Sequence, residues 1–213
     1  MHGVKRGVFI SFEGVEGSGK TTQAKRLVEW LLSKKISHIS VREPGSTAVG
    51  EAIREILLNS KYREMHSRCE VLLFLAARSQ LIYEQILPAI KEKKVVVSDR
   101  FADSTFAYQI YARNLPNRLI SVFNRFATAG IKPDLTFLFD IDILKGRERG
   151  VFDDRMETEE KVYHQKVREG YLRLARRAKK RVKLLNGEKP VDVLENEVIE
   201  YVKEFLIRKG YKL

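Results

Sequence analysis

The stretch with the most obvious chemistry runs Gly14, Val15, Glu16, Gly17, Ser18, Gly19, Lys20, Thr21: a glycine, a four-residue gap, then glycine, lysine and threonine. Glycines at these places let successive backbone amides turn inward on phosphate oxygens, and a helix opening at the lysine adds a favourable field. Lys20 can bridge the β and γ phosphates of a nucleoside triphosphate, the Thr21 hydroxyl can ligate magnesium, and Thr22 follows in the ATP-binding stretch. A dinucleotide fingerprint fits less well, because it has no use for a cation aimed at a terminal phosphate. The loop therefore implies ATP or GTP and leaves the acceptor open. Motors, switch GTPases, nucleic-acid ATPases and small-molecule kinases all share it.

Two further groups have chemistry in their spacing. Asp99 and Arg100 close an apolar run, at the carboxyl edge where open α/β sheets bind ligands. Downstream, Lys145, Arg147, Arg149 and Arg155 are interleaved with Gly146 and Gly150. A cationic flap of that kind, closing over two phosphoryl groups, would exclude water and neutralise developing charge.

These groups need elements to position them. Apolar runs at residues 8–12, 38–41, 95–98, 135–140 and 182–185 read as strands, with helical patterns between them. The alternation predicts an α/β fold with a five-stranded parallel sheet flanked by helices. Helices are expected over residues 20–33, 50–58, 66–87, 103–113, 116–129, 156–181 and 192–209. The third should stop before Pro88, and Gly130 should close the fifth. In the long 156–181 segment Val162, Val167, Tyr171, Leu172, Leu174 and Ala175 mark the inner face. For the last helix, Asp192 with Glu195 reads as a capping box.

The 213 residues suit one sizeable domain, and a single Cys69 excludes an internal disulfide. That usage suits a reducing cytoplasm. The opening residues pass from a short basic stretch into a strand, with no signal-peptide core expected. No apolar run reaches about 18 residues, which argues against a helical membrane span. Lys and Arg outnumber Asp and Glu by 40 to 28, a net charge of +12 that favours anionic ligands. Because the cations are dispersed, the field reads as a bias toward small phosphorylated ligands rather than nucleic acid.

Taken in order, these segments resemble the thymidylate kinase family. The resemblance covers the loop FISFEGVEGSGKTTQ, residues 42–58 (REPGSTAVGEAIREILL), 71–80 (VLLFLAARSQ), 95–109 (VVVSDRFADSTFAYQ), 130–142 and 154–159 (DRMETE). It implies a three-layer P-loop NTPase fold, one domain over 1–213 with a lid near 143–156. It further implies transfer of the γ-phosphoryl group of ATP to thymidine 5′-monophosphate (dTMP) with Mg²⁺, by a cytoplasmic homodimer. The residues 14–22 would hold ATP. The acceptor would meet Glu16, Arg42, Pro44, Arg54, Phe74, Arg78, Arg100, Ser104, Thr105, Tyr108 and Gln109.

Within that resemblance Phe74 would stack on the base and Arg78, four residues on and on the same helix face, would bond its edge. Arg100 would grip the 5′-phosphate through its guanidinium fork. Tyr108 would crowd the sugar 2′ position. Thr21, Asp99 and Glu16 would organise the metal, and Lys20 with Arg147, Arg149 and Arg155 would supply the catalytic cations. The partner copy is expected against the apolar face of the 66–87 helix. The sequence departs from the family at Ser46, Phe101 and Ile110, where Gly, Tyr and Gly are usual, and at Ala77 and Leu81, where polar residues are common.

Overall fold

The computed structural model of the chain describes residues 6–149 and 154–213. Five strands, β1 Val8–Gly14, β2 His38–Arg42, β3 Val95–Asp99, β4 Leu135–Asp140 and β5 Val182–Asn186, form one parallel sheet in the order β2-β3-β1-β4-β5. Every expected strand is present. Because β1 is central, with β3 on one side and β4 on the other, the loop after Gly14 leaves the sheet at its topological switch point. That is where open α/β sheets bind ligands.

Alternation along β1 divides the core between two faces. Val8, Ile10 and Phe12 pack against Ala24, Leu27 and Leu31 of α1 (Lys20–Ser33) and the inner face of α9 (Val191–Arg208). Phe9 packs on the opposite face with Leu81, Ile82 and Ile86. A third cluster seats α8 (Lys161–Arg177) over Leu138 and Val182. The result is helix, sheet and helix, which bears out the expected three layers.

Several helix boundaries differ from expectation. After α2 (Ala48–Leu58), whose N-cap Thr47 accepts from Gly50 N–H at 2.9 Å, α3 begins at Ser67. α3 (Ser67–Leu81) does not end before Pro88 but passes through a π turn, Ile82–Ile86, into α4 (Leu87–Lys91). The wide turn bonds Leu87 N–H to the Ile82 carbonyl and puts Pro88 in a new first turn, where its missing N–H costs nothing. α5 (Ala102–Thr105) likewise continues as a π-helical segment, Phe106–Ala112. α6 (Asn117–Ala127) ends in a turn where Gly130, at φ 73°, donates to the Arg125 carbonyl.

The long helix expected from residue 156 starts five residues later. Asp154 captures the amides of Met156 and Glu157 at 2.8 and 2.9 Å, which turns the chain before α8 begins. Val162 is exposed, and the inner face is Tyr163, His164, Val167, Gly170, Tyr171 and Ala175. Ahead of that turn, α7 (Ile143–Arg149) occupies the expected lid region. Pro190, not Asp192, caps α9, and Asp192 and Glu195 both reach Arg26 of α1 instead of forming a capping box.

Most of the apolar face of α3 turns inward, with Val71, Leu75 and Leu81 buried. Exposed apolar side chains gather more on α6, where Leu119, Val122, Phe123 and Phe126 stand out. Among the described residues no helix is long and apolar enough to cross a membrane.

Candidate active site

The phosphate loop is open to an anion. Gly19, at φ 87°, leads into α1 with no side-chain cap, so the first-turn amides have no internal claim on them. Gly17 is at φ 71°, and a Cβ there would fall 2.0 Å from the Gly146 carbonyl oxygen, so the lid helix lies directly on the loop. Lys20 is buried, its Nζ 3.1 Å from Glu16 Oε2 and 3.4 Å from the Val15 carbonyl. Burial and the adjacent Arg100 lower the pKa of the Lys20 ammonium, against the pull of Glu16 and Asp99. Burial alone would raise the Glu16 carboxyl, but Lys20 and Arg100 outweigh it and hold it at about 2.

Thr21 Oγ1 donates to Asp99 Oδ2 at 2.6 Å, while Asp99 Oδ1 and Ser18 Oγ are buried without partners among the described residues. A hydroxyl beside an acid with an orphaned oxygen, at the mouth of a phosphate loop, fits Mg²⁺. That ion takes few protein ligands and fills its octahedron with water and phosphate oxygens. Accordingly, the described residues contain no cluster of three His, Cys, Asp or Glu of the sort that would cage a metal.

Every residue expected to meet the acceptor lines one cavity of about 260 Å³ beside the loop. Its most strained member is Arg100, a non-glycine residue at φ 68°. Buried Glu13 holds the surrounding chain in place, accepting from Phe101 N–H at 2.7 Å, Ser104 Oγ at 2.7 Å and Tyr171 OH at 2.9 Å. The guanidinium then reaches the Gly14 carbonyl at 3.0 Å, Glu16 at 3.1 Å and Tyr171 OH at 3.2 Å, and lies over the Tyr108 ring. Burial and the nearby Asp103 push the Glu13 carboxyl up to about 7, against Ser104, Arg100 and Tyr171.

Across the cavity, the half-buried Phe74 ring lines the wall and Arg78 is only 2% exposed. Arg78 Nε and Nη2 pair with Glu43, and Nη1 donates to Thr105 Oγ1 at 2.7 Å and Asn124 Oδ1 at 2.8 Å. A guanidinium has five N–H groups, so this arrangement leaves one for a ligand. Arg54 donates to the Pro44 carbonyl and Arg42 pairs with Glu51, both at the cavity rim.

The second cavity, about 530 Å³, runs along residues 16–23 and the segment 187–191, with Arg149 on its edge. Thr22 lines it, whereas the Val15 side chain is buried in the core and Gly14 meets Arg100 through its carbonyl. Arg149 donates to the Gly187 carbonyl at 2.8 Å, and Arg147 to the Glu159 carbonyl at 2.9 Å. Arg147 lines neither cavity, and Arg155, expected beside them, comes to neither as well. It is 4% exposed, with Nε on the Leu57 carbonyl at 2.9 Å and Nη2 on Glu70 at 2.8 Å, because a buried acid behind the cavity claims it. Gly150 lies outside the described residues.

Sequence reasoning missed the acids that organise the site, Glu43 and Glu70, and the close approach at Gly146. It also missed His164, buried on α8, whose ring lines the first cavity 3.2 Å from the Glu157 carbonyl. The departures from the family pattern are explained by packing. Phe101 is buried beneath Arg78, Ile110 packs on Val71 and Leu75, and Ala77 and Leu81 face the core. Ser46 takes a left-handed φ of 68°, with its amide bonded to Glu51 at 2.6 Å.

A family model described as "Thymidylate kinase" matches residues 12–198. The chain is 42% identical over 203 residues to a thymidylate kinase of Kosmotoga olearia, covering 94% of this chain and 96% of that protein. It is 43% identical over 211 residues to one of Caldanaerobacter subterraneus subsp. tengcongensis, covering 98% and 100%. Among solved structures, thymidylate kinase from Ehrlichia chaffeensis superposes with a TM-score of 0.75 at 32% identity, over 92% of this chain and 98% of that one.

Proposed function

The chain belongs to the thymidylate kinase family, and from that premise we propose that its two cavities hold the two nucleotides of one in-line phosphoryl transfer. The enzyme moves the γ-phosphoryl group of ATP to dTMP, giving dTDP and ADP. One observation carries the assignment of the cavities: Glu16, Lys20 and Thr21 line both of them. Donor and acceptor must meet at a single point, and that point lies beside the Lys20 ammonium.

In this reading the acceptor's 5′-phosphate is gripped by the Arg100 fork. A phosphate monoester oxygen is already nucleophilic, so the transfer needs no general base. Glu16, ionised down to about pH 2, instead keeps Lys20 and Arg100 oriented until the phosphates arrive. Phe74 stacks on thymine, the remaining N–H of Arg78 reads the base edge with Thr105 and Gln109, and Tyr108 fills the space of a 2′-hydroxyl. Arg42, Pro44, Arg54 and Ser104 complete the wall. Thr21, Asp99 and Glu16 would hold Mg²⁺, which when bound neutralises the β and γ phosphates. Arg147 and Arg149 on the lid add positive charge as the phosphoryl group moves. Losing one such cation typically costs about 10²-fold to 10³-fold in turnover.

The test is ADP formation from ATP and Mg²⁺ with each nucleoside monophosphate in turn. Strong stimulation by dTMP and weaker stimulation by its ribose analogue is expected. ATP consumption indifferent to any monophosphate would sink the reading. We further assign the homodimer contact to α6 with its neighbour α3, where Phe126 is 83% exposed. Phe126→Glu should then shift the species seen in analytical ultracentrifugation to monomer. Cytoplasmic action accords with the nucleotide substrates.

A further inference from the structure

Glu70 lies in the first turn of α3, has no exposed surface, and has no part in the transfer described above. A carboxylate in that position must be paired. Its Oε2 accepts from Arg155 Nη2 at 2.8 Å and Arg113 Nη2 at 3.1 Å, and its Oε1 accepts from Gln109 Nε2 at 3.1 Å. The three donors come from different places. Arg155 is in the turn that precedes α8, Arg113 just beyond the π-helical segment, and Gln109 on the wall of the acceptor cavity.

The turn at residues 154–158 faces two ways. Asp154, Met156 and Glu157 line the acceptor cavity, and Arg155 turns away between them. Its backbone N–H bonds the Leu58 carbonyl at 2.9 Å and its Nε the Leu57 carbonyl at 2.9 Å, so it is pinned to the end of α2. Leu58 and Arg54 of that helix line the same cavity. Arg113 also reaches Glu159, whose carbonyl receives Arg147 from the lid helix. Gln109 gains a fixed orientation as well. An ionised carboxylate only accepts, so the amide must turn its NH₂ to Glu70, leaving its oxygen as the acceptor for a ligand.

We propose that Glu70 is a positioning residue which, through Arg155, fixes the turn at residues 154–158 and the Gln109 amide as one wall of the acceptor cavity. Arg155 thus works by shaping where dTMP sits, not by neutralising the phosphoryl group in flight. The proposal rests on the assignment of that cavity to the acceptor.

Steady-state kinetics of the full-length protein separate the two roles, because a residue that shapes a binding wall moves KM and a residue that acts in the transition state moves kcat. The variants are Arg155→Met, Glu70→Gln and the pair combined. Each single change should raise KM for dTMP roughly tenfold to 100-fold, the penalty expected for losing one hydrogen bond to a charged group that shapes the binding wall. Turnover and KM for ATP should stay within about threefold. The double variant should be no worse than the poorer single one, as expected of partners in one contact.

Arg155→Lys keeps a cation beside Glu70 but cannot bond the Leu57 carbonyl through Nε. It provides the test if the Met variant does not fold, and should show a smaller rise in KM at unchanged kcat. A 100-fold fall in kcat at unchanged dTMP KM in either Arg155 variant, or losses that multiply in the double variant, would overturn the proposal. A wild-type protein that makes no ADP in response to dTMP would overturn the cavity assignment itself.

Discussion

Replacing Arg100 by Ala tests the acceptor clamp most directly. The side chain is set by its neighbours: Phe12 O accepts its amide at 2.9 Å, and Gly14, Glu16 and Tyr171 hold the guanidinium. A hydrogen bond to a charged group is worth about 1.5–3 kcal/mol, so losing a two-bond fork on a phosphate costs roughly 3–6 kcal/mol. At about 1.4 kcal/mol per factor of ten, kcat/KM for dTMP should fall by about 10²-fold to 10⁴-fold. The clamp holds the phosphate before and during transfer, so most of the loss should appear in KM. ADP release followed by a coupled assay, varying dTMP at saturating ATP and then the reverse, makes the separation. The variant also has an acid signature. Arg100 helps keep Glu16 near 2, a stabilisation that is full above the carboxyl's ordinary 4.5 and lost as pH falls through 2. Arg100→Ala should therefore be less stable than wild type at neutral pH, with the gap closing as pH falls through that window. An unchanged dTMP KM, or an equal rise in the KM for ATP, would refute the clamp.

Other positions give independent checks. Asp99→Asn keeps the shape beside Thr21 but removes the charge, so turnover should fall about 10²-fold to 10³-fold and half-saturation should need more Mg²⁺; an unaltered Mg²⁺ titration speaks against the site. Gly146→Ala puts a Cβ 2.7 Å from the Glu16 carbonyl, which lifts the lid helix off the phosphate loop. Turnover should drop about tenfold or more with little change in Tm, and full activity would mean that the contact is incidental. Glu13, with a carboxyl raised from 4.5 to about 7, contributes fully below 4.5 and loses that contribution as pH rises to 7. At about 1.4 kcal/mol per pKa unit the loss is roughly 3 kcal/mol, so Glu13→Gln should gain on wild type by about that much between pH 4 and 8 in denaturant melts. A constant difference across that range would show that Glu13 is not the titrating group.

The central strands β1, β3 and β4 were legible because they are buried on both faces and read as short apolar runs, and the half-exposed edge strands β2 and β5 still carry short apolar stretches. What periodicity missed was packing-dependent. Ile82 and Ile86 are both fully buried against the sheet, and a π turn between them advances the frame by one residue before Pro88. A 3.6-residue count cannot predict that turn, since the contacts that reward it come from β1 and β3. The start of α8 was misplaced for a local reason: Asp154 outcompetes the helix for two amides, an option open to short acidic side chains wherever the chain can bend.

The site divides along a similar line. Its cations were visible in the sequence because arginine and lysine on an apolar face or beside glycines demand an anion. Two of the acids that decide where each cation points were not. Glu43 follows a strand, and Glu70 sits in the first turn of a helix, where a carboxylate ordinarily faces water and the helix dipole. Arg149 and Arg155 look interchangeable in the lid sequence, yet one edges the second cavity and the other is 4% exposed. The difference is Glu70, 85 residues away in the chain and buried where only the packing of α2 and α3 could bring it. In a chain with net charge +12, Arg155 folds onto a fully buried acid, Lys20 and Arg100 share the partly exposed Glu16 where the two cavities meet, and Arg149 meets a backbone carbonyl at the cleft. Where a cation is held in this enzyme is therefore decided by the acid or carbonyl that meets it, which is a property of the fold.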